Sequence, residues 1–314
     1  MTSAMEHFVT LFDSWFLPQG LALHSSLEQQ AGEYTLWILC MDDETQQVLR
    51  RLELPNVRLV SLSDVETPEL LRVKPERTRA EYCWTVTPFA PRFVLEADRG
   101  TRRVTYLDAD VWLRKNPAPL FGELEASGKQ VLITDHAYAP EYDQAATSGQ
   151  YCVQFVTFMR GGEIVRKWWE DRCIEWCFAR SENGKFGDQK YLDDWPSRFA
   201  DHVHVLQHQE WTLAPWNATR FPYSSGVIYH FQGLRLMESR RVSLADYPLP
   251  PALIRHVYEP YLDCLRRALA MLSQVGFKPR ALRQDRGLLW GFKRRLYGVY
   301  SHLWRARYQH YRTL

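Results

Sequence analysis

Two aspartates one residue apart, Asp108 and Asp110, stand in YLDADVWLRKNPAPLF, where an apolar run rich in β-formers gives out. Residues at i and i+2 of extended chain point to the same side, so the two carboxylates can converge. Anions that close raise each other's pKa unless a positive charge neutralises them. A hard divalent cation of the Mg²⁺ or Mn²⁺ kind does this, and with few carboxylates it takes its remaining oxygens from phosphate and water. The chemistry the pair suits is therefore the binding of a diphosphate-bearing substrate. Strand ends are also where ligands sit in open α/β sheets. The plain alternative, Asp108 capping a turn and Asp110 solvated, stays open on these residues alone.

Other chemistries find less support. HVHVLQHQE holds a histidine cluster, and alternation puts His202 and His204 on one strand face where zinc could bind. No HExxH and no carboxylate partner at a known spacing accompanies them. GxGxxG and GxxxxGK[ST] are both missing, which removes the best evidence for a dehydrogenase or a P-loop enzyme. The six cysteines form no CxxC pair, and Cys173 and Cys177 suit packing on a helix better than metal. A reducing, cytoplasmic setting is expected, so the sequon Asn217-Ala218-Thr219 is read as chance.

These residues need elements to hold them. HFVTLF, YTLWILCM, VRLVSL, RRVTYLD, VLITD, CVQFVTFM, VHVLQ and GVIYHF read as strands, separated by helical patterns such as GLALHSSLEQQ and DDETQQVLRRL. Strands that are apolar throughout, alternating with helices, predict an α/β sheet covered on both faces. EIVRKWWEDRCIEWCFAR predicts a long amphipathic helix with Ile164, Trp168, Cys173, Trp176 and Cys177 near one face. After about Ser243 comes a proline-rich connector, DYPLPPALI, and all that follows reads as helical. The expected division is one α/β domain over 1–245 and a helical tail over 246–314.

The net charge of +2 on 314 residues hides an asymmetry. From Lys278 onward ten basic residues stand against one acid, Asp285, which leaves residues 1–277 acidic. In GLLWGFKRRLYGVYSHLWRARYQHYRTL the aromatics recur at helical spacing among arginines and lysines. That composition suits a helix lying in a membrane interface and drawn to anionic lipid. Packing back on the domain, with the arginines solvated, is the competing reading. No stretch is long and apolar enough to span a bilayer, and no signal peptide is read at the N-terminus.

YLDADVWLRKNPAPLF resembles the DxD segment of nucleotide-sugar-dependent glycosyltransferases of the A-type fold. It is most similar to the retaining family that includes glycogenin and bacterial lipopolysaccharide galactosyltransferases. The resemblance runs over roughly residues 6 to 236. It implies a Rossmann-like domain with a mixed, mostly parallel central sheet, and a Mn²⁺ (or Mg²⁺) held by Asp108 and Asp110. HFVTLFDSWFLPQGLALHSSL is similar to the segment carrying the nucleoside pocket, implying Thr10, Leu11 and Phe12 near the base. RAEYCWTVTPFAPRF stands where the family places its donor-contacting helix, implying Arg79 and Arg92 as phosphate or sugar ligands. KFGDQKYLDDWP resembles the segment that faces the sugar, implying Asp188 and Gln189 in catalysis; capping of a following helix by Asp188 is the alternative. VIYHFQGLR resembles the His-x-x-Gly segment, implying His230 as a metal ligand and Gly233 as the point where backbone approaches the phosphates.

Two departures stand out. Where the family has a lysine six residues after the histidine, this chain has Leu236, and Arg235 is the nearest cation. Its Asn-Ala-Gly segment is here Cys152-Val153-Gln154. The function implied is transfer of a sugar from a nucleoside-diphosphate sugar, UDP-linked by preference, to a saccharide or lipid-linked acceptor in bacterial surface polysaccharide assembly. The alternatives are a degenerate nucleotide-binding protein and a metal-dependent nucleotide-sugar hydrolase. The expected setting is cytoplasmic, peripheral on the inner face of the plasma membrane through 278–314, with no nucleic-acid partner.

Overall fold

The computed structural model of the chain describes residues 5–237, 241–280 and 311–314. In chain order, short helical turns aside, the first half runs β1 (Glu6–Phe12), α1 (Leu17–Gln30), β2 (Tyr34–Cys40), α2 (Asp43–Leu52), β3 (Val57–Ser61), α3 (Arg79–Val86), α4 (Phe89–Ala97), β4 (Arg103–Leu107), β5 (Val111–Leu113) and α5 (Ala118–Ser127). The second half runs β6 (Val131–Asp135), β7 (Tyr151–Met159), α6 (Glu163–Glu175), β8 (Val203–Val205), β9 (Thr212–Leu213), β10 (Ile228–His230), β11 (Arg235–Leu236), β12 (Arg241–Ser243), α7 (Glu259–Gln274) and β13 (Tyr311–Thr313).

Seven strands form one sheet in the order β3-β2-β1-β4-β7-β6-β8. All run parallel except β7, which is antiparallel to both neighbours, so the α/β sheet is mixed and mostly parallel. From β1 the chain builds outward to β3 and then returns to the other side of β1 as β4. That reversal opens a crevice at the carboxyl ends of β1 and β4. Both faces are covered, which is why the strands are apolar throughout. β1 sends Val9 and Leu11 into one core and Phe8 and Phe12 into the other. Gly20 of α1 lies against the Phe12 ring; a Cβ there would come within 2.4 Å of its Cζ, so only glycine lets the helix seat on that strand end.

A second, three-stranded sheet β5-β10-β9 meets the first where β4 ends. β5 shares its residues with the aspartate segment, so the sequence does not mark it as a strand. α7 packs against α1.

Two expectations need correcting. In the helix α6 the buried stripe is Val165, Arg166, Trp169, Glu170 and Cys173. Ile164 is 55% exposed, Trp168 is half-buried, and Trp176 and Cys177 lie beyond the helix end. The phase is set by Val165, Trp169 and Cys173 at i, i+4, i+8, together with an Arg166–Glu170 ion pair buried beside them. The C-terminal stretch is not helical throughout: Tyr311–Thr313 pairs antiparallel with β12, a partner some seventy residues away that local periodicity does not reveal. The remainder of the basic-aromatic stretch, 281–310, lies outside the described residues. Asn217 of the sequon is buried, its amide donating to the carbonyls of His136 and Thr212, a core role that bars a glycan.

Candidate active site

Asp108 is the first residue beyond β4, its N–H donating to the carbonyl of Gln154 on β7 at 3.2 Å. A tight turn, closed by Val111 N–H to Asp108 O at 3.1 Å, carries the chain past Asp110 into β5. β10 pairs antiparallel with β5 so that His230 stands opposite Val111, and Phe231 N–H donates to Asp110 O at 2.9 Å. The join between two sheets thus brings together residues 120 positions apart in the chain. His230 Nε2 lies 3.1 Å from Asp110 Oδ1 and 3.7 Å from Asp108 Oδ2. One ligand atom from each of the three fits within 4.8 Å of the others. The carboxylates keep 30% and 15% side-chain exposure, so the group can be reached from the crevice.

Electrostatics describe a site short of positive charge. Burial pushes the Asp108 carboxyl up, Asp110 adds to this, and His230 opposes it. Burial works the same way on Asp110, yet the imidazole, its hydrogen bond and the Arg235 charge hold that carboxyl below its ordinary value. Burial would lower the His230 pKa, but Asp110 outweighs it and holds the imidazole well above its usual range. The imidazole, with the Arg235 charge beside it, is the positive charge that answers the two carboxylates. Two carboxylate oxygens and one imidazole nitrogen, open on one side, form a donor set that fits a divalent ion.

The DQ segment lies beside this group. Asp188 is buried, and its carbonyl accepts from Trp169 Nε1 at 2.9 Å. Burial drives its carboxyl well above the ordinary range and the nearby Asp108 charge adds to this, while a hydrogen bond with the Thr87 side chain opposes it. It makes no side-chain cap to the short 3₁₀ turn Gln189–Asp194, so helix capping does not explain it. Gln189 donates its amide to the Ser148 carbonyl at 2.8 Å, and its oxygen meets no partner among the described residues.

The remaining expected residues fall in several places. Gly233 has φ +81°, a left-handed conformation suited to glycine, in the loop after β10. Arg235 stands near enough for its charge to act on Asp110. Leu236, where the family has lysine, is buried in an apolar cluster. Thr10, Leu11 and Phe12 are buried core positions at the end of β1. Arg79, first residue of α3 behind a Thr78–Glu81 capping box, pairs through Nε with Asp13 at 2.5 Å and also with Asp42. Arg92 pairs with Glu96 and with Glu170 on α6, and no contact ties it to the carboxylate group.

Sequence reasoning passed over Asp13, although it follows β1 as Asp108 follows β4, and that parallel was the available signal. It also assigned nothing to His136. The Cys152 thiol, pushed up by burial, is brought down to about 7 by His136 and His230. In the histidine cluster, His202 pairs with Gln130, His204 with Glu123 and His208 with Glu210. Among the described residues, Asp108, Asp110 and His230 are the one group of three able to hold a metal.

With sheet order, switch point and site in view, comparison with solved structures defines the class as the A-type glycosyltransferase fold. The galactosyltransferase LgtC, solved with donor and acceptor sugar analogues, superposes with a TM-score of 0.51 at 11% identity, covering 83% of this chain and 95% of that one. The apo form of the glycosyltransferase GlyE of Streptococcus pneumoniae gives 0.50 at 15% identity, over 90% of this chain and 66% of that one. In sequence the chain is 30% identical over 262 residues to the uncharacterized protein YfnF of Bacillus subtilis, covering 77% of this chain and 85% of that protein. YfnD of the same organism is 28% identical over 283 residues, 83% and 89% of the two chains. The chain belongs to the family of YfnF. No family model matches it. Among the described residues, no helix is long and apolar enough to cross a membrane.

Proposed function

We propose that the protein transfers a sugar from a nucleoside-diphosphate sugar, UDP-linked by preference, to a saccharide or lipid-linked acceptor. The observation that carries this reading is the convergence of Asp108, Asp110 and His230 at the switch-point crevice of an A-type fold. These three would hold the divalent ion, Mn²⁺ ahead of Mg²⁺ because imidazole is the softer donor. When bound, such an ion neutralises charge that builds on the leaving diphosphate. Arg235 adds positive charge on the same side, and the left-handed Gly233 lets backbone approach the phosphates.

Asp188, whose carboxyl burial drives upward, hydrogen-bonds the donor sugar, and the oxygen of Gln189 serves the positive charge developing at the anomeric carbon. Arg79 and the end of β1 frame the nucleoside side. Residues 1–245 carry this chemistry, and the basic stretch 278–314 holds the enzyme to anionic membrane; pelleting with anionic liposomes that salt abolishes is the expected result. A retaining outcome follows from the resemblance.

The test is an incubation with UDP-, GDP-, CMP- and dTDP-sugars, Mn²⁺ and saccharide acceptors, followed by NMR of the product. A new glycoside with the anomeric configuration of its donor supports the reading. Release of free sugar alone makes the protein a hydrolase. Binding of the donor without any product marks a nucleotide-binding protein that has lost turnover.

A further inference from the structure

Gln154 lies near the centre of β7 with no exposed surface, in a largely apolar run. A buried carboxamide in the middle of a sheet costs free energy unless it is used. Its main chain and its side chain reach two different members of the carboxylate–imidazole group. The backbone carbonyl accepts from Asp108 N–H at 3.2 Å. The side-chain oxygen lies 2.9 Å from His230 Nδ1. One residue of the large sheet therefore fixes Asp108 at the end of β4 and the ring of His230 on the small sheet.

We infer that Gln154 is a positioning residue that sets the tautomer and orientation of His230 for metal binding. The inference rests on the metal site proposed above. With Nδ1–H donated to the Gln154 oxygen, the lone pair of a neutral imidazole is on Nε2, the atom beside Asp110 and Asp108. The opposite tautomer would place a proton on Nε2 and close that position to a cation. Partners of this kind raise ligand basicity, and their loss costs about 10–100-fold in metal affinity. The second buried amide atom of Gln154, Nε2, has no partner among the described residues. The side chain thus makes its one hydrogen bond to the histidine, consistent with a residue placed for that contact. Asn217 shows the contrast, since both ends of its carboxamide are used by backbone groups.

The experiment uses the full chain, without nucleotide, and titrates Mn²⁺ by the electron paramagnetic resonance of the free ion. Gln154→Leu and Gln154→Met are each expected to weaken Mn²⁺ binding about 10–100-fold. Gln154→Glu keeps an acceptor for Nδ1–H and is expected to stay within a few-fold of wild type or to bind more tightly. Two apolar variants guard against one that fails to fold, and thermal unfolding checks both. The second readout is ¹⁵N NMR of labelled histidine in the Mg²⁺-loaded protein, with His230 assigned by its loss in His230→Asn. Wild type and Gln154→Glu should show the proton on Nδ1, and the apolar variants should show it moved to Nε2. Folded apolar variants that bind Mn²⁺ as wild type does, while Asp110→Ala does not bind, would overturn the role of Gln154 and leave the metal site standing. Wild-type protein that binds no Mn²⁺ would overturn both.

Discussion

Two pairs of carboxylates stand at strand ends, and they are neutralised in opposite ways. After β1 and β2, Asp13 and Asp42 share the guanidinium of Arg79. Asp42 is also built into the fold: its side chain accepts from Thr45 N–H at 2.8 Å to cap α2, and from Ser14 N–H and Oγ. After β4, Asp108 and Asp110 face the His230 imidazole, with the Arg235 charge acting on Asp110, and stay partly open to solvent. A covalently attached counter-ion makes the first pair a structural clamp. The second pair could be completed by an arriving cation, as the proposed metal-diphosphate site requires. Under the proposed function, the same residue type at strand ends divides into architecture and chemistry according to the company it keeps.

The comparison can be broken by substitution. Asp110→Ala should produce the largest effect, a loss of Mn²⁺-dependent donor binding of at least about 100-fold, since a ligand and its charge both disappear; isothermal titration checks it. Asp188→Asn comes next and should act on turnover and stability in opposite directions. Its folded-state carboxyl pKa lies above the unfolded value, so deprotonation above pH 3.8 favours the unfolded chain, and the penalty grows as pH rises toward the folded value. Removing the titration should raise Tm at pH 8 in EDTA, by about 1.5 °C for each kcal/mol recovered, while the transfer rate falls.

On the clamp side, Asp42→Ala should cost about 1–2 kcal/mol at pH 7 through the lost cap. Burial alone would raise the Asp42 carboxyl, but hydrogen bonds from Thr45 and Ser14 outweigh it and hold it below 3.8. Its stabilisation is therefore present above pH 3.8 and lost as pH falls through the lower folded value. Denaturant curves for wild type and variant should converge in acid. Arg79→Ala should be the smallest, about 1 kcal/mol or less, because the guanidinium is half exposed and screened. Salt should shrink that difference further, and Mn²⁺ should not restore it.

The aspartate pair was legible because an ionisable i, i+2 pattern at the end of an apolar strand has few structural uses. His230 was not legible from its own surroundings, since a histidine closing a β-run is commonly a core residue; only the resemblance singled it out. Its pairing to Asp110 depends on β5 joining β10, a strand register that spans the length of the domain. Gln154 was visible only as a departure from a family pattern, because nothing local distinguishes a carboxamide aimed at a ligand from one spent on backbone. Arg92 shows another limit: its partner Glu170 lies on a different helix and could not be paired with it from sequence. The central sheet itself was readable strand by strand, since burial on both faces leaves continuous apolar runs that need no partner to be recognised.

The central claim is that the Asp108–Asp110–His230 group binds a nucleoside-diphosphate sugar through a divalent ion. The most direct measurement is thermal unfolding of the full chain with UDP-, GDP-, CMP- and dTDP-sugars, each with Mn²⁺ and with EDTA, repeated on Asp110→Ala. A ligand at ~100 times its dissociation constant adds about 2.7 kcal/mol, enough to resolve. One nucleotide class that stabilises the wild type only with Mn²⁺, and the variant not at all, is the predicted result. Stabilisation that is equal in EDTA, or that survives in Asp110→Ala, would contradict it.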